Sequence, residues 1–333
     1  MLKRIVIFLS ISFLIINCTS IKTISAQQTD NDQSVNTQFK YVIIPESPVP
    51  GEPVTVALIT SINNVQLIVK EKEVAKSQAF LIPAENGQPS FTAAIFAIPS
   101  TTEPGDAIIR INNELGVFME IQFTIAPKEF PSETLKLNPS LTSLVTTSNE
   151  RTRAESARLW QILTTTGNTV YHDSRFVLPI STTRRTSRFG TRRINEYSDG
   201  RRVTSIHAGV DFGAPAGTEV YACGRGKVIL ARERQISGNS IIIEHGPGIY
   251  SIYYHLNAIK GCVCSVKETC ACGTIEGSIV RAGEIIGGVG STGFSTGPHL
   301  HWELRVSTEN TDPDVFVSRP LLDKNLIISK LYE

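Results

Sequence analysis

Two short segments of this 333-residue chain carry residues whose types and spacing suit metal chemistry. One is His207-Ala-Gly-Val-Asp211 and the other is His299-Leu-His301. Imidazole nitrogen and carboxylate oxygen are ligands for first-row metals, and three protein ligands beside one open position make a catalytic zinc site. Zinc lowers the pKa of bound water to about 7 and polarises a carbonyl, which is what peptide hydrolysis at neutral pH requires. Such a reaction also needs a group that takes a proton from water and returns one to the leaving amine. Histidine titrates in the right range for both steps. His255, in Ser251-Ile-Tyr-Tyr-His255-Leu256, adds a fourth histidine in a third motif, whereas His172 and His245 stand alone and read as ordinary solvated or satisfied side chains.

The elements that position these residues read as β structure. Side chains two apart on a strand share a face, so His299 and His301 stand side by side along the alternating run Pro298–Val306. Glu303 continues that face. Two readings of it stand: a carboxylate that orients a ligand imidazole, and a surface glutamate. Ser205–Gly213 is short and punctuated by glycine, unlike a helix. From Phe176 onward the chain reads as all β. Six of residues 283–297 are glycine. That stretch has neither the strand–helix setting nor the lysine of a phosphate loop, and the expectation is a backbone passing close to substrate.

These motifs, in this order, resemble the lysostaphin/LytM-type zinc endopeptidases that cut peptidoglycan. The resemblance runs from about Phe176 to Pro320. It includes Ser187-Arg-Phe-Gly190, His207 to Asp211, Ala214-Pro-Ala-Gly-Thr-Glu-Val220, Tyr254-His-Leu256 and Gly293-Phe-Ser-Thr-Gly-Pro-His-Leu-His-Trp302. It implies a fold with an antiparallel sheet as floor and loops walling a groove. It implies one catalytic Zn2+ ion on His207, Asp211 and His301, with His255 and His299 as the two catalytic histidines that do not ligate. Which of these two is the general base stays open. All five positions are intact, which favours an enzyme over the alternative of a non-catalytic envelope protein that binds peptidoglycan or activates another cell-wall hydrolase. The bond implied is in peptidoglycan cross-links or stem peptides.

The whole chain reads as mainly β. Residues 39–127 show short alternating runs (Val54–Leu58, Val65–Val69, Phe91–Phe96, Ala107–Ile111, Phe118–Ile125) with turns at Pro50-Gly51 and Pro104-Gly105. This predicts an Ig-like β-sandwich. It holds no histidine or cysteine, so a spacer or binding role is expected. Residues 128–175 read as a helical linker, with one clear helix over Asn149–Leu163 that docks through Trp160 and Leu163. Residues 176–320 are the metallopeptidase domain and 321–333 a C-terminal tail.

Net charge is +1, spread unevenly. Residues 27–127 carry 5 basic and 11 acidic side chains, and 128–333 carry 24 and 20. Neither part has the strong basic face of a nucleic-acid binder. Seven arginines lie between 184 and 202. They read either as a solvated loop or as a basic rim for the carboxylates of a stem peptide. Lys3 and Arg4 precede an apolar run, Ile5–Ile16, that is too short to span a membrane. Residues 1–18 therefore read as a signal peptide whose Leu14-Ile-Ile-Asn-Cys18 resembles a lipobox, with cleavage near Ala26 as the competitor. Residues 19–38 form a polar tether. The expectation is an exported protein, periplasmic or anchored in the envelope as a lipoprotein, touching the membrane through a lipid on Cys18. Cys262, Cys264, Cys270 and Cys272 read as two disulfides, with a structural zinc site as the sharp alternative. A metal-storage or redox module built on them is a third functional reading. Cys223 is left over and is expected in a buried strand.

Overall fold

The computed structural model describes residues 23–25, 38–147, 149–260 and 276–333. The leader with Cys18, most of the tether, and the segment carrying Cys262, Cys264, Cys270 and Cys272 lie outside the described residues.

The first strands are β1 (Thr23–Ser25), β2 (Gln38–Ile44), β3 (Pro53–Leu58), β4 (Asn64–Val69), β5 (Lys72–Ile82), β6 (Phe91–Ala97), β7 (Gly105–Asn113) and β8 (Gly116–Ile125). They pair in the order β1-β2-β3-β6-β5-β4-β7-β8. The five runs predicted from alternation fall within β3, β4, β6, β7 and β8. The long β5 was not among them, because Lys72, Glu73 and Lys76 interrupt its apolar pattern. It pairs with β4 over residues 72–78 and with β6 over 79–82, and so carries the sheet from one layer to the next. The two layers share a core, with Val54, Val56 and Phe96 on one side and Leu67, Ile109 and Ile121 on the other.

β3 and β6 are buried at every position. Their second face does not meet water. Ala93, Ile95 and Ala97 pack in one cluster with Phe316, Leu321, Ile327 and Leu331 from the far end of the chain. The Pro50-Gly51 turn is held in the same seam. Gly51 has φ +85°, and a Cβ there would lie 2.4 Å from Phe189 Cε1. Its carbonyl accepts from Thr311 Oγ1 (2.9 Å) and the Asp312 amide (2.8 Å).

The connecting segment is more than a helical linker. It holds β9 (Ser132–Lys136), α1 (Pro139–Thr146) and α2 (Glu150–Thr164). α2 starts at Asn149, whose side chain accepts from the Thr152 amide while Thr152 caps back, a reciprocal arrangement that satisfies the first turn. The docking face differs from the one expected. Ile162 and Leu163 are buried against Tyr250, Ile252 and Tyr254, while Trp160 is 61% exposed. The buried stripe is Leu159, Ile162 and Leu163, and Trp160 lies one residue, about 100°, around the helix from Leu159.

The remaining strands are β10 (Arg185–Ser187), β11 (Arg192–Glu196), β12 (Arg202–Ile206), β13 (Val210–Gly213), β14 (Glu219–Tyr221), β15 (Gly226–Arg234), β16 (Gly238–Gly246), β17 (Ile249–Leu256), β18 (Ala258–Ile259), β19 (Ile279–Val280), β20 (Ile285–Gly288), β21 (His299–Val306) and β22 (Glu309–Thr311). The floor is an antiparallel sheet in the order β10-β13-β21-β17-β16-β15-β19, with β22 on β21. A small sheet, β12-β11-β9, adds a wall in which β9 runs parallel to β11. This part is not all β. Helix α3 (Pro313–Ser318) follows β22, and the expected C-terminal tail folds as α4 (Lys324–Tyr332). Asp323 caps α4, and Ile327 and Leu331 are buried in the seam with β3 and β6. So short a helix depends on packing for its stability, which is why its sequence did not announce it. Among the described residues no helix is long and apolar enough to cross a membrane.

Candidate metal centre

Strand register brings the first group together. On the floor, Asp211 of β13 pairs with His301 of β21, and His301 pairs with Tyr254 of β17. His207 precedes β13 by a turn through Ala208 and Gly209. A Cβ on Gly209 would lie 2.2 Å from the Trp302 carbonyl oxygen, so only glycine lets this turn press against β21. Asp211 Oδ1 is 2.7 Å from His301 Nδ1 and 3.1 Å from His207 Nε2, and the two nitrogens are 3.0 Å apart. All three residues are buried.

The outer hydrogen bonds set the tautomers. His207 Nδ1–H donates to the Arg188 carbonyl at 2.9 Å. His301 Nε2–H donates to Glu303 Oε1 at 2.9 Å. The inner nitrogens therefore point lone pairs at a carboxylate oxygen. Three such atoms this close repel one another unless a cation lies among them, so the donor set fits a divalent metal. A proton can play the same part. Burial works against charge on His301, but Asp211 and Glu303 at its two ring nitrogens outweigh it and raise its pKa to about 9. Burial also opposes ionisation of Asp211, and hydrogen bonds from His207 and His301 hold it well below the usual carboxylate range. Glu303 is likewise lowered against burial, chiefly by Arg305 and then by His301.

Each carboxylate is anchored on its far side. Glu303 Oε2 accepts from Arg305 Nε (2.9 Å) and Asn310 Nδ2 (3.2 Å). This selects the orienting reading of Glu303 over the surface one. Asp211 Oδ2 accepts from an Arg193 terminal nitrogen at 2.8 Å, and Arg193 Nε donates to Glu133 Oε1 at 2.5 Å. Neither Arg193 nor Glu133 was singled out from sequence. Arg193 was one of seven clustered arginines. Glu133 gave no signal, because its place depends on β9 pairing with β11.

His255 and His299 join the same group. His299 lies on the face of His301, as the spacing of two requires. Its Nδ1–H donates to the Gly297 carbonyl at 2.8 Å, and its Nε2 is 3.8 Å from Asp211 Oδ1. His255 reaches the site by breaking alternation. Tyr254 stacks on His301 with ring centroids 5.6 Å apart, so a regular strand would turn the next side chain away. Instead the β16–β17 register shifts between Asn239 and Ile241, and His255 has φ +62°. A bulge re-aims a side chain in this way. The His255 ring lies 4.9 Å from that of His299 and 6.1 Å from that of His301. Its Nδ1–H donates to the Thr292 carbonyl at 2.8 Å. Burial, and then His301 and His299, push its pKa down to about 3.

These groups line a cleft of about 670 Å3, walled by β9, β11 and the loop before β21. Most glycines of 283–297 do a different job from the one expected. Cβ atoms on Gly287, Gly290 and Gly293 would lie within 2.3–2.7 Å of the protein's own backbone, and only Gly297 both lines the cleft and has open space beside it. His245 is buried and satisfied by the Arg225 carbonyl and Ser251, apart from the His207, Asp211 and His301 group. Cys223 is buried as a free thiol, in the bend between β14 and β15 and not in a strand.

Residues 205–313 match the sequence profile of peptidase family M23. This stretch is an M23 peptidase domain. The DD-carboxypeptidase/endopeptidase Mpg of Neisseria meningitidis is 39% identical over 108 residues, 32% of this chain and 22% of Mpg. The peptidoglycan DD-endopeptidase ShyA of Vibrio cholerae is 39% identical over 120 residues, 34% of this chain and 25% of ShyA. The chain thus matches about a quarter of the length of these curated relatives. A peptidase M23 crystal structure from Pseudomonas aeruginosa superposes over 81% of this chain and 94% of that one, with a TM-score of 0.55 and 25% identity. That likeness extends well beyond the M23 stretch into the N-terminal strands.

Proposed function

We propose that this chain is an exported zinc-dependent endopeptidase acting on peptide bonds in peptidoglycan cross-links or stem peptides. The observation that carries this reading is the convergence of His207, Asp211, His301, His255 and His299 in one cleft of an M23 domain. Relatives named as peptidoglycan endopeptidases support the substrate class. His207 Nε2, Asp211 Oδ1 and His301 Nδ1 are the atoms to hold one zinc ion, which when bound supplies a Lewis acid that polarises the scissile carbonyl and acidifies water. His255 and His299 each donate from Nδ1 to a backbone carbonyl, so each presents Nε2 to the cleft. Burial keeps His255 neutral, which suits it to orient water or the substrate carbonyl. His299, at the open side of the cleft, is the group to take the proton and return it to the leaving amine.

The rest of the organisation follows the sequence. In this reading the leader is removed before Cys18, which carries the lipid as the mature N-terminus, and a polar tether over 19–38 links that anchor to the folded chain in the periplasm or envelope. Residues 39–127 form an Ig-like β-sandwich, supported by two strand layers around one core. The peptidase domain of 176–320 needs the preceding segment as well, since Glu133 holds Arg193 and α2 covers Tyr250 and Tyr254. Mass spectrometry of muropeptides released from defined sacculi, with and without a chelator, tests the reading. Release of cross-linked dimers as monomers, abolished by chelator and restored by zinc, is the expected result. An unchanged muropeptide profile at all zinc levels would remove the endopeptidase assignment.

A further inference from the structure

The arginine cluster is sorted by its partners. Arg185 binds Asp314, Arg193 binds Glu133 and Asp211, Arg201 binds Asp199, and Arg202 binds Glu196. Arg192 donates to the Ser100 carbonyl at 2.7 Å and lies over the Phe130 ring. These five are engaged in holding strands and turns. Among the described residues, the side chains of Arg184 and Arg188 have no acceptor, and of these two only Arg184 lines the cleft.

Its position is specific. The Arg184 guanidinium lies over Gly213, with a terminal nitrogen 3.2 Å and Cζ 3.6 Å from where a Cβ would stand. A side chain at 213 would push it away. Gly213 pairs with His299 in the β13–β21 register. The Gly213 amide in turn donates to the Arg184 carbonyl at 3.1 Å, which ties the arginine's backbone to the floor. The acidic groups of the cleft are already used: Glu133 and Asp211 by Arg193, and Glu303 by Arg305 and His301. Among the described residues the cleft thus carries one uncommitted, water-accessible cation close to His299. A guanidinium there is a forked donor matched to a carboxylate.

We infer that Arg184 forms a subsite for a carboxylate of the peptide substrate on the His299 side of the scissile bond. This rests on the endopeptidase reading. The carboxylate is either a side-chain acid or a free chain terminus, and the shared chemistry is a planar anion accepting two hydrogen bonds.

The test uses the mature full chain with zinc and three matched peptides. One carries both the side-chain carboxylate and the free terminus, one has the side chain as carboxamide, and one has the terminus as carboxamide. kcat/KM is measured for the native protein and for Arg184→Met and Arg184→Lys. The native protein should prefer the substrate bearing the recognised carboxylate by about 10-fold or more, the scale of a charge-assisted hydrogen bond. The amide that removes this preference identifies the source. In Arg184→Met the ratio should fall to near one, and Arg184→Lys should keep part of it. A preference that persists in Arg184→Met, or a native ratio near one, overturns the inference while leaving the endopeptidase reading in place. If no peptide is cleaved, that reading fails separately. Calorimetric binding of the same peptides then decides on Arg184 by the same ratio.

Discussion

Glu303→Ala isolates the carboxylate behind His301. In the native protein Glu303 Oε1 accepts from His301 Nε2–H at 2.9 Å, while Oε2 is held by Arg305 and Asn310, and the side chain is 5% exposed. Its removal frees the imidazole to rotate and to exchange tautomers. Loss of such an outer partner lowers metal affinity by about 10–100-fold. Two side effects must be separated from this. Arg305, with its side chain 17% exposed, loses its carboxylate, which costs about 2–3 kcal/mol of stability. Proton competition also changes. The native pKa of about 9 means that a proton occupies His301 at neutral pH, which reduces apparent zinc affinity at pH 7 by roughly 100-fold. Without Glu303 that pKa falls, so at pH 7 relief of competition masks the loss of orientation. The comparison therefore belongs near pH 9.5, where competition is small in both proteins. Zinc affinity is read by chelator competition, on samples shown by circular dichroism to be below their melting transition. A folded Glu303→Ala protein that binds zinc within about threefold of native near pH 9.5 would refute the orienting role. The native protein should also lose apparent zinc affinity by roughly 50-fold as pH falls from 9 to 7, the slope nearing tenfold per unit and one proton released per zinc bound as pH 7 is approached; a flat profile would contradict the competition.

His207→Ala, Asp211→Ala and His301→Ala should each lose the zinc ion, and elemental analysis showing full zinc in all three would remove the ligand assignment. His255→Ala and His299→Ala should keep zinc yet lose peptidoglycan hydrolysis by about 10²-fold or more; a His299→Ala protein that works at the native rate has no use for that imidazole. Gly209→Ala puts a Cβ 2.2 Å from the Trp302 carbonyl oxygen and should cost roughly 1–3 kcal/mol, read as a lower melting temperature with weaker zinc retention, and an unchanged melting temperature would mean the turn yields without strain. Cys18→Ser should move the protein from the detergent phase to the aqueous phase, and unchanged partition argues against lipidation.

Residue type and local period singled out the histidine and aspartate motifs, and the resemblance of those motifs supplied the roles proposed for them. Two histidines at spacing two must share a strand face, the pairing of β13 with β21 sets Asp211 opposite His301, and the short turn before β13 brings His207 to them as the third proposed ligand. The helix over 150–164 was equally legible, because its cap and composition are local. What tertiary structure alone decided involves atoms far apart in sequence. His255 faces the site only because a bulge and a left-handed backbone break the alternation that the sequence predicts. Glu133 reaches Arg193 only because β9 runs parallel to β11, and no local period records that pairing. Trp160 stays outside because the neighbouring stripe finds Tyr250 and Tyr254 first. Gly287, Gly290 and Gly293 answer to the protein's own backbone, while Gly297 alone of the glycines of 283–297 borders the cleft. α4 exists as a helix because β3 and β6 offer a second apolar face for Ile327 and Leu331. Periodicity sets which face a side chain takes within its own element, while the partner it meets there depends on long-range pairing, whose free energy is not written in any one segment.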